Sequence, residues 1–250
     1  MTLETKPTQN PLMEVQNISK SFPGVKALDN VSVQFMPGEV HAVVGENGAG
    51  KSTLMKVMAG VYRADEGKVL LRGEKVSFTH PQKAQEEGVS IIYQELNLLP
   101  ERTVAQNVFL GREPSQFGFI DSNRMNNQTL EVLKRLDSED MISPQAVLGT
   151  LSVAEQQIVE IAKAIAFDSQ VLIMDEPTAP LSSNEVAILV RLVERLKARG
   201  MAIIFISHRL REVFDIADKI TILKDGELVD TVNTSDVNTN DVIRMMVGRE

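Results

Sequence analysis

Nine consecutive residues, Gly45-Glu46-Asn47-Gly48-Ala49-Gly50-Lys51-Ser52-Thr53, fit the spacing GxxxxGK[ST], which suits the capture of phosphate groups. Gly45, Gly48 and Gly50 let the backbone wrap so that its amides point inward at phosphate oxygens, with a helix N-terminus behind them. Lys51 would add a positive charge on β- and γ-phosphates, and Ser52 a hydroxyl ligand for Mg²⁺. An apolar run before the loop and a helical segment after it supply the strand-to-helix setting that the motif needs.

Three further stretches carry polar groups at the ends of apolar runs. Val171 to Pro177 reads VLIMDEP; a buried strand ending in Asp175 would bring that acid near the Mg²⁺, and Glu176 could then orient and polarise an attacking water. His208, in FISHRL, follows another such run and is placed to contact a γ-phosphate, because the carboxyl ends of parallel strands converge on the ligand. Gln94, in IIYQE, ends a fourth run, where its amide could reach either the metal or the water. His41 and His80 read as core or surface residues.

The elements that must position these groups follow from periodicity. Strand-like MEVQNIS, VSVQFM and EVHAVVG precede a helix beginning near Lys51, and GKVLLRG and VSIIYQ follow it. Between about residues 96 and 152 the pattern turns polar and helical, as in DSNRMNNQTLEVLKRLDSED, with Pro100, Pro114 and Pro144 as breaks. Alternation then resumes with a helix from Val153 to Phe167, strand QVLIMDE, helix SSNEVAILVRLVERLKARG, strand MAIIFISH and helix LREVFDIAD. Short apolar strands alternating with longer helices predict an α/β fold with a mostly parallel sheet covered on both faces. Asp225-Gly226, between two β-rich runs in KITILKDGELVDT, has the composition of a hairpin turn. Residues 1–12 read as a disordered lead-in to a domain spanning 13–250.

Composition narrows the possibilities. An apolar content of 43% over 250 residues supports a proper core. A formal charge of -8 works against a broad nucleic-acid footprint and against adhesion to anionic lipid. No apolar run approaches the ~20 residues of a membrane helix. The opening MTLETKPTQNPL lacks the features of a secretory signal. The absence of cysteine excludes disulfides and thiolate metal sites, and fits the cytosol.

Taken in order, the glycine-rich loop, Gln94, the Leu151-Ser152 helix start, the Asp175-Glu176 pair and His208 resemble the motif series of ABC-transporter ATPase domains, over essentially residues 13 to 248. The resemblance implies a P-loop NTPase core of RecA-like type, an antiparallel β subdomain and an inserted helical subdomain at about 96–168. It implies ATP and Mg²⁺ as ligands, with Ser52, Gln94 and Asp175 toward the metal and Glu176, His208 and Gln94 in hydrolysis. Phe22, in KSFPGVKAL, resembles the family's adenine-stacking aromatic, a core position being the alternative. The resemblance further implies that a membrane subunit's coupling helix would dock in the groove beside Gln94.

YQELNLLPERTVAQNVFLGREP, LSVAEQQIVEIAKAI and MMVGRE are similar to ATPase subunits of bacterial monosaccharide importers of the ribose, galactose, arabinose and xylose type. The partners thus implied are membrane permease subunits at the cytoplasmic face of the membrane, a second ATPase domain and, indirectly, a periplasmic-type sugar-binding protein. Such importers usually carry two ATPase domains in tandem, and this chain resembles the N-terminal half. A non-transport ABC ATPase and a nucleotide-binding regulatory module are the other classes compatible with these motifs.

Two departures from the family pattern stand out. Where LSGGQ is usual, the chain has Leu151-Ser152-Val153-Ala154-Glu155. The methyl groups of Val153 and Ala154 would crowd a phosphate presented by an opposing domain, and charged Glu155 would oppose it. Ser152 with Glu155 three residues later also fits a capping box, after which Val153, Ile158, Ile161, Ala162 and Ile165 form an apolar face. Ser152 is therefore both a helix cap and a candidate phosphate contact in trans. The second departure is Ala179-Pro180-Leu181-Ser182 in place of SALD, which puts a serine where an aspartate is usual.

Overall fold

Alternation of apolar residues at Met13, Val15, Val31, Val33 and Phe35 builds the first sheet, because every second side chain of a strand faces the same way. In the computed structural model, which describes residues 10–248, β1 (Met13–Phe22) pairs antiparallel with β2 (Val25–Phe35) and with β4 (Glu66–Leu71). Strand β5 (Glu74–Val76) completes the order β2-β1-β4-β5. Of the lead-in expected over 1–12, residues 1–9 lie outside the described residues. Leu12 is not lead-in: its N–H donates to the Phe35 carbonyl at 2.9 Å and its carbonyl accepts from Arg72 N–H at 2.8 Å, extending the ladder.

The second sheet holds the site. Its order is β12-β11-β3-β10-β9-β6, from β3 (Val40–Val44), β6 (Val89–Ile92), β9 (Val171–Asp175), β10 (Ala202–Ile206), β11 (Lys219–Lys224) and β12 (Glu227–Asn233). All pairs are parallel except the β11–β12 hairpin. Asp225 (φ 50°) and Gly226 (φ 85°) both turn left-handed there, the conformation a two-residue hairpin loop requires. Continuous burial of VHAVV and AIIFI follows from packing on both faces. Val40, Ala42, Val44, Leu172, Met174, Ile203 and Phe205 enter one core, while Val43, Val171, Ile173, Ala202, Ile204 and Ile206 enter the other.

Helices cover both faces. The core holding Val43 contains α1 (Lys51–Met58) and the antiparallel sheet, with α2 (Pro81–Glu86) at its margin through Ala84. The other core collects α3 (Val104–Val108), α4 (Ser122–Arg135), α5 (Val153–Ile165), α6 (Ser183–Ala198), α7 (Leu210–Ile216) and α8 (Thr239–Val247). Helices α3, α4 and α5 form a lobe, entered through caps at Thr103, Asp121 and Ser152. A short hairpin, β7 (Ser115–Gln116) and β8 (Phe119–Ile120), projects from it. Among the described residues no helix is long and apolar enough to cross a membrane.

Candidate functional site

Register in the parallel sheet decides what meets at its carboxyl edge. Along β3-β10-β9-β6, Ile206 pairs with Val43 on one side and with Asp175 on the other, and Ile92 pairs with Met174. Counting outward, His208 is level with Gly45, Ser207 with Glu176, and Tyr93 with Asp175. Four adjacent strand ends thus bring together the glycine-rich loop, His208, the two acids and the Tyr93-Gln94 turn, the geometry in which open α/β sheets bind ligands. Strand β6 ends at Ile92 rather than at Gln94 as the sequence suggests, so Gln94 is exposed in a bend two residues beyond it.

The loop's glycines answer different needs. A Cβ on Gly45 would meet the Leu223 carbonyl and, at 2.9 Å, the Ala49 Cβ, so the loop packs too closely on the end of β11 for any side chain. Gly48 has open space around it but a φ of 87°, which an L residue adopts at a cost. Glu46 and Asn47 are exposed, Ala49 is buried, and Ser52 is exposed in the first turn of α1. Lys51 is buried, with Nζ donating to the carbonyls of Gly45 (2.8 Å) and Glu46 (2.9 Å). Burial pushes this ammonium below its ordinary pKa, while the charges of Glu176 and Asp175 pull it back up.

Across from Lys51, burial holds the Asp175 carboxyl above its usual range and the neighbouring Glu176 charge adds to this; Lys56 and Lys51 oppose them. An acid raised in this way is stabilised by added positive charge. Glu176 adopts φ 46°, rare for a glutamate, and is fixed there by its N–H to Ile206 O (2.9 Å) and its carbonyl to Ala179 N (3.1 Å). This turn aims its Oε1 at His208 Nδ1, 2.9 Å away. Behind the pair, Glu212 accepts from Thr178 Oγ1 (2.5 Å), Ser207 Oγ (3.3 Å) and Arg209 Nη1 (3.0 Å), tying the loop after β9 to the loop after β10. Nothing in the spacing of the chain singles out Glu212.

A divalent cation fits this donor set. Ser52 and Asp175 present hard oxygen atoms, and the raised Asp175 carboxyl gains from a nearby cation. Among the described residues no cluster of three His, Cys, Asp or Glu forms a ready-made cage, so phosphate oxygens and water would complete any coordination shell.

Phe22 stands at the tip of the β1–β2 hairpin and is 36% exposed, which rules out the core position. Its ring meets Tyr62 edge-on at 5.3 Å, and Lys20 Nζ lies 5.6 Å from its centroid. Tyr62 follows α1 and carries no spacing signal of its own. His41 is buried between Glu39 and Thr221, and His80 precedes α2 at its N-cap position without a side-chain bond to the helix.

Ser152 does not join this group. It heads α5 on the lobe, and among the described residues its side chain bonds only to Glu155: Oγ donates to Oε2 (2.8 Å) and accepts from Glu155 N–H (3.3 Å), while Ser152 N–H reaches Oε2 (2.7 Å). Val153 departs from the expected apolar face; it is 41% exposed because the first turn projects beyond the core that buries Ile158, Ile161, Ala162 and Ile165. Ser182 repeats the pattern at α6, its N–H and Oγ donating to Glu185 Oε2 at 2.8 and 2.6 Å. The Ser182 hydroxyl and N–H hold the Glu185 carboxyl below its ordinary range, and the nearby backbone N–H of Ala154 adds to this.

The ABC transporter family profile matches residues 28–179, more than half of the chain. A putative ribose/galactose/methyl galactoside import ATP-binding protein of Hahella chejuensis is 50% identical over 96% of this chain and 46% of its own length. A ribose import ATP-binding protein of Rubrobacter xylanophilus is 49% identical over 96% and 47%. A galactose/methyl galactoside import ATP-binding protein of Fusobacterium nucleatum is 47% identical, with the same coverage. The chain spans about half the length of the curated relatives it matches. Among solved structures, a nucleotide-free ATP-binding cassette of an ABC transporter superposes with a TM-score of 0.82 at 26% identity, over 94% of this chain and 98% of the other. The ADP conformation of another such cassette gives 0.82 and 26% over 96% and 99%.

Proposed function

This chain belongs to the ABC transporter family, and from that premise we propose that it binds MgATP and hydrolyses it to energise import of a monosaccharide. The observation that carries the proposal is the convergence of the Gly45–Thr53 loop, His208, Asp175-Glu176 and Gln94 on four adjacent strand ends. The sugar class rests on relatives whose names specify ribose, galactose or methyl galactoside import.

In this reading the amides of the loop and the N-terminus of α1 receive the phosphates, and Lys51 turns from the Gly45 and Glu46 carbonyls to the β- and γ-phosphates. Ser52, Asp175 and Gln94 would hold Mg²⁺, which neutralises charge on the phosphate oxygens when bound. Glu176 orients a water for in-line attack on the γ-phosphorus, and the β–γ bridging oxygen leaves with ADP. His208 steadies the γ-phosphoryl oxygens. A ring that keeps Nδ1–H on Glu176 can offer Nε2–H only as imidazolium, so contact with phosphate requires either a second proton or a turn of the ring. Phe22, backed edge-on by Tyr62, would stack on adenine.

The proposed partners are membrane permease subunits at the cytoplasmic face and a second ATPase domain; a sugar-binding protein would act through the permease. The lobe over 96–168 is assigned to permease contact, and the head of α5 to the opposing ATPase domain. Two measurements test the proposal. Glu176→Gln should retain MgATP binding while phosphate release falls about 10²- to 10⁴-fold; undiminished release removes Glu176 from the chemistry. Co-purification with a multi-span permease, followed by vesicle uptake of candidate sugars, tests the transport role, which fails if no monosaccharide accumulates on addition of ATP.

A further inference from the structure

Glu160 is a buried carboxylate that the proposed hydrolysis does not use. It sits mid-helix on α5 between Val159 and Ile161, 7% exposed, in a position that a solvated glutamate would not choose. Its Oε1 accepts the backbone N–H of Asn97 at 2.6 Å. One turn later on the same helix, Lys163 Nζ donates to the Asn97 carbonyl at 2.8 Å. Two side chains three residues apart thus hold both backbone groups of one residue of an otherwise irregular segment. That segment follows β6 and carries Gln94 three residues upstream of Asn97.

The surroundings give the grip direction. The C-terminal end of α5 is fixed to the core, since Ser90 Oγ of β6 and Ser169 Oγ both donate to the Ala164 carbonyl, at 3.0 and 2.7 Å. Beyond Asn97, the buried Asn107 of α3 takes the N–H of Leu99 at 2.7 Å and its carbonyl at 3.0 Å. The chain between Gln94 and Leu99 is therefore held by α5 and then by α3, while among the described residues Gln94 itself makes no side-chain bond. Burial raises the Glu160 carboxyl above its ordinary range, with Lys163 and the Asn97 N–H opposing, so the acceptor is held against a desolvation cost.

We propose that Glu160 and Lys163 are positioning residues which, by gripping the Asn97 peptide, fix the reach of Gln94 and link it to helix α5. The inference rests on the nucleotide reading above, and the test separates the two. Amide exchange is measured on this chain, with and without MgATP, for wild type, Glu160→Ala, Glu160→Gln and Lys163→Ala. Without nucleotide, Glu160→Ala should speed exchange across residues 95–98 about tenfold or more, Lys163→Ala less, and Glu160→Gln little, because its amide oxygen can still accept from Asn97. With MgATP, wild type should gain protection at 45–53, at 93–98 and in the first turn of α5. Glu160→Ala should keep the gain at 45–53 and lose it at the other two, with Glu160→Gln restoring it. Unchanged exchange at 95–98 in Glu160→Ala, or MgATP-linked protection of α5 surviving there, overturns the proposal. No protection at 45–53 in wild type overturns the nucleotide reading instead.

Discussion

Replacing Val153, Ala154 and Glu155 by Gly, Gly and Gln removes two methyl-bearing side chains and one charge from the head of α5, and its two consequences have opposite signs. Stability falls: Val153 is exposed and gives up little packing, but two glycines enter the first helical turn, and the capping carboxylate that serves Ser152 becomes a neutral amide. Together these cost about 2 kcal/mol, or about 4–8 °C in Tm for a domain of this size. Against that, a carboxylate about 8 Å from a phosphate through water opposes it by about 0.5 kcal/mol per unit charge. For a doubly charged γ-phosphate this is about 1 kcal/mol, or about fivefold in closure around MgATP. Relief of the methyl contacts adds to the gain. The assay is phosphate release at rising protein concentration, with Tm followed in parallel. A Tm drop accompanied by faster, more steeply concentration-dependent turnover supports an opposing-domain role for this turn. The same Tm drop with unchanged turnover refutes it and leaves the turn as a helix cap only.

Gly45→Ala should abolish nucleotide binding and lower stability by about 1–3 kcal/mol, since its Cβ has no space beside Leu223 and Ala49; equilibrium binding of a fluorescent ATP analogue would show an unaltered affinity if the loop can yield. Asn107→Ala strips three hydrogen bonds, to Leu99 N, Leu99 O and Thr103 O, from a fully buried side chain; a loss of about 3 kcal/mol is expected in urea unfolding, and less than ~1 kcal/mol would mean that water replaces the amide. For Glu160, a folded pKa raised above the unfolded value near ~4.3 means the native state keeps a proton that the unfolded chain has released. Its contribution is therefore fully present at low pH and is lost as pH rises through the folded pKa. The Tm of wild type minus that of Glu160→Gln should accordingly decline with rising pH from the ordinary carboxylate range upward; a flat or rising difference contradicts the desolvation of this group.

The sequence revealed the elements that are governed by local pattern. Period-2 burial in β1 and β2, the unbroken apolar runs of β3, β9 and β10, the Ser152–Glu155 box and the Asp225-Gly226 hairpin all depend on residues close in the chain. What it concealed depends on distance. The grip of Glu160 on Asn97 spans 63 positions and that of Glu212 on Thr178 spans 34, and no periodicity encodes either. The charged Glu160 inside the apolar face of α5 was the visible sign, legible only once burial is known. Val153 misled because periodicity assigns a face to every turn, whereas the core ends before the first one. Pattern alone carries the β6 strand on to Gln94, two residues past its end, because Tyr93 continues the apolar run without extending the ladder.

Glu185 limits how far the Gly-Gly-Gln change can raise the use of this turn. A helix N-terminus welcomes an anion because its first amides are unpaired and its dipole is positive there. At α5 the Glu155 carboxylate already takes the Ser152 N–H and hydroxyl, and the Glu185 carboxylate, from the cap of α6, lies near the Ala154 N–H. The Ser182 hydroxyl, the Ser182 N–H and then the Ala154 N–H hold the Glu185 carboxyl below its ordinary range, against desolvation, so it is ionised at neutral pH. Two carboxylates of the chain's own thus stand at the head of α5, where both would repel an anion such as a γ-phosphate. If they exclude it, adding Glu185→Gln to the Gly-Gly-Gln triple should increase turnover again, whereas Glu185→Gln alone should do little while Glu155 remains. An equal effect of Glu185→Gln in both backgrounds would show that the two acids act independently; no effect in either would remove Glu185 from the competition and leave Glu155 and the two methyl-bearing side chains as the obstruction.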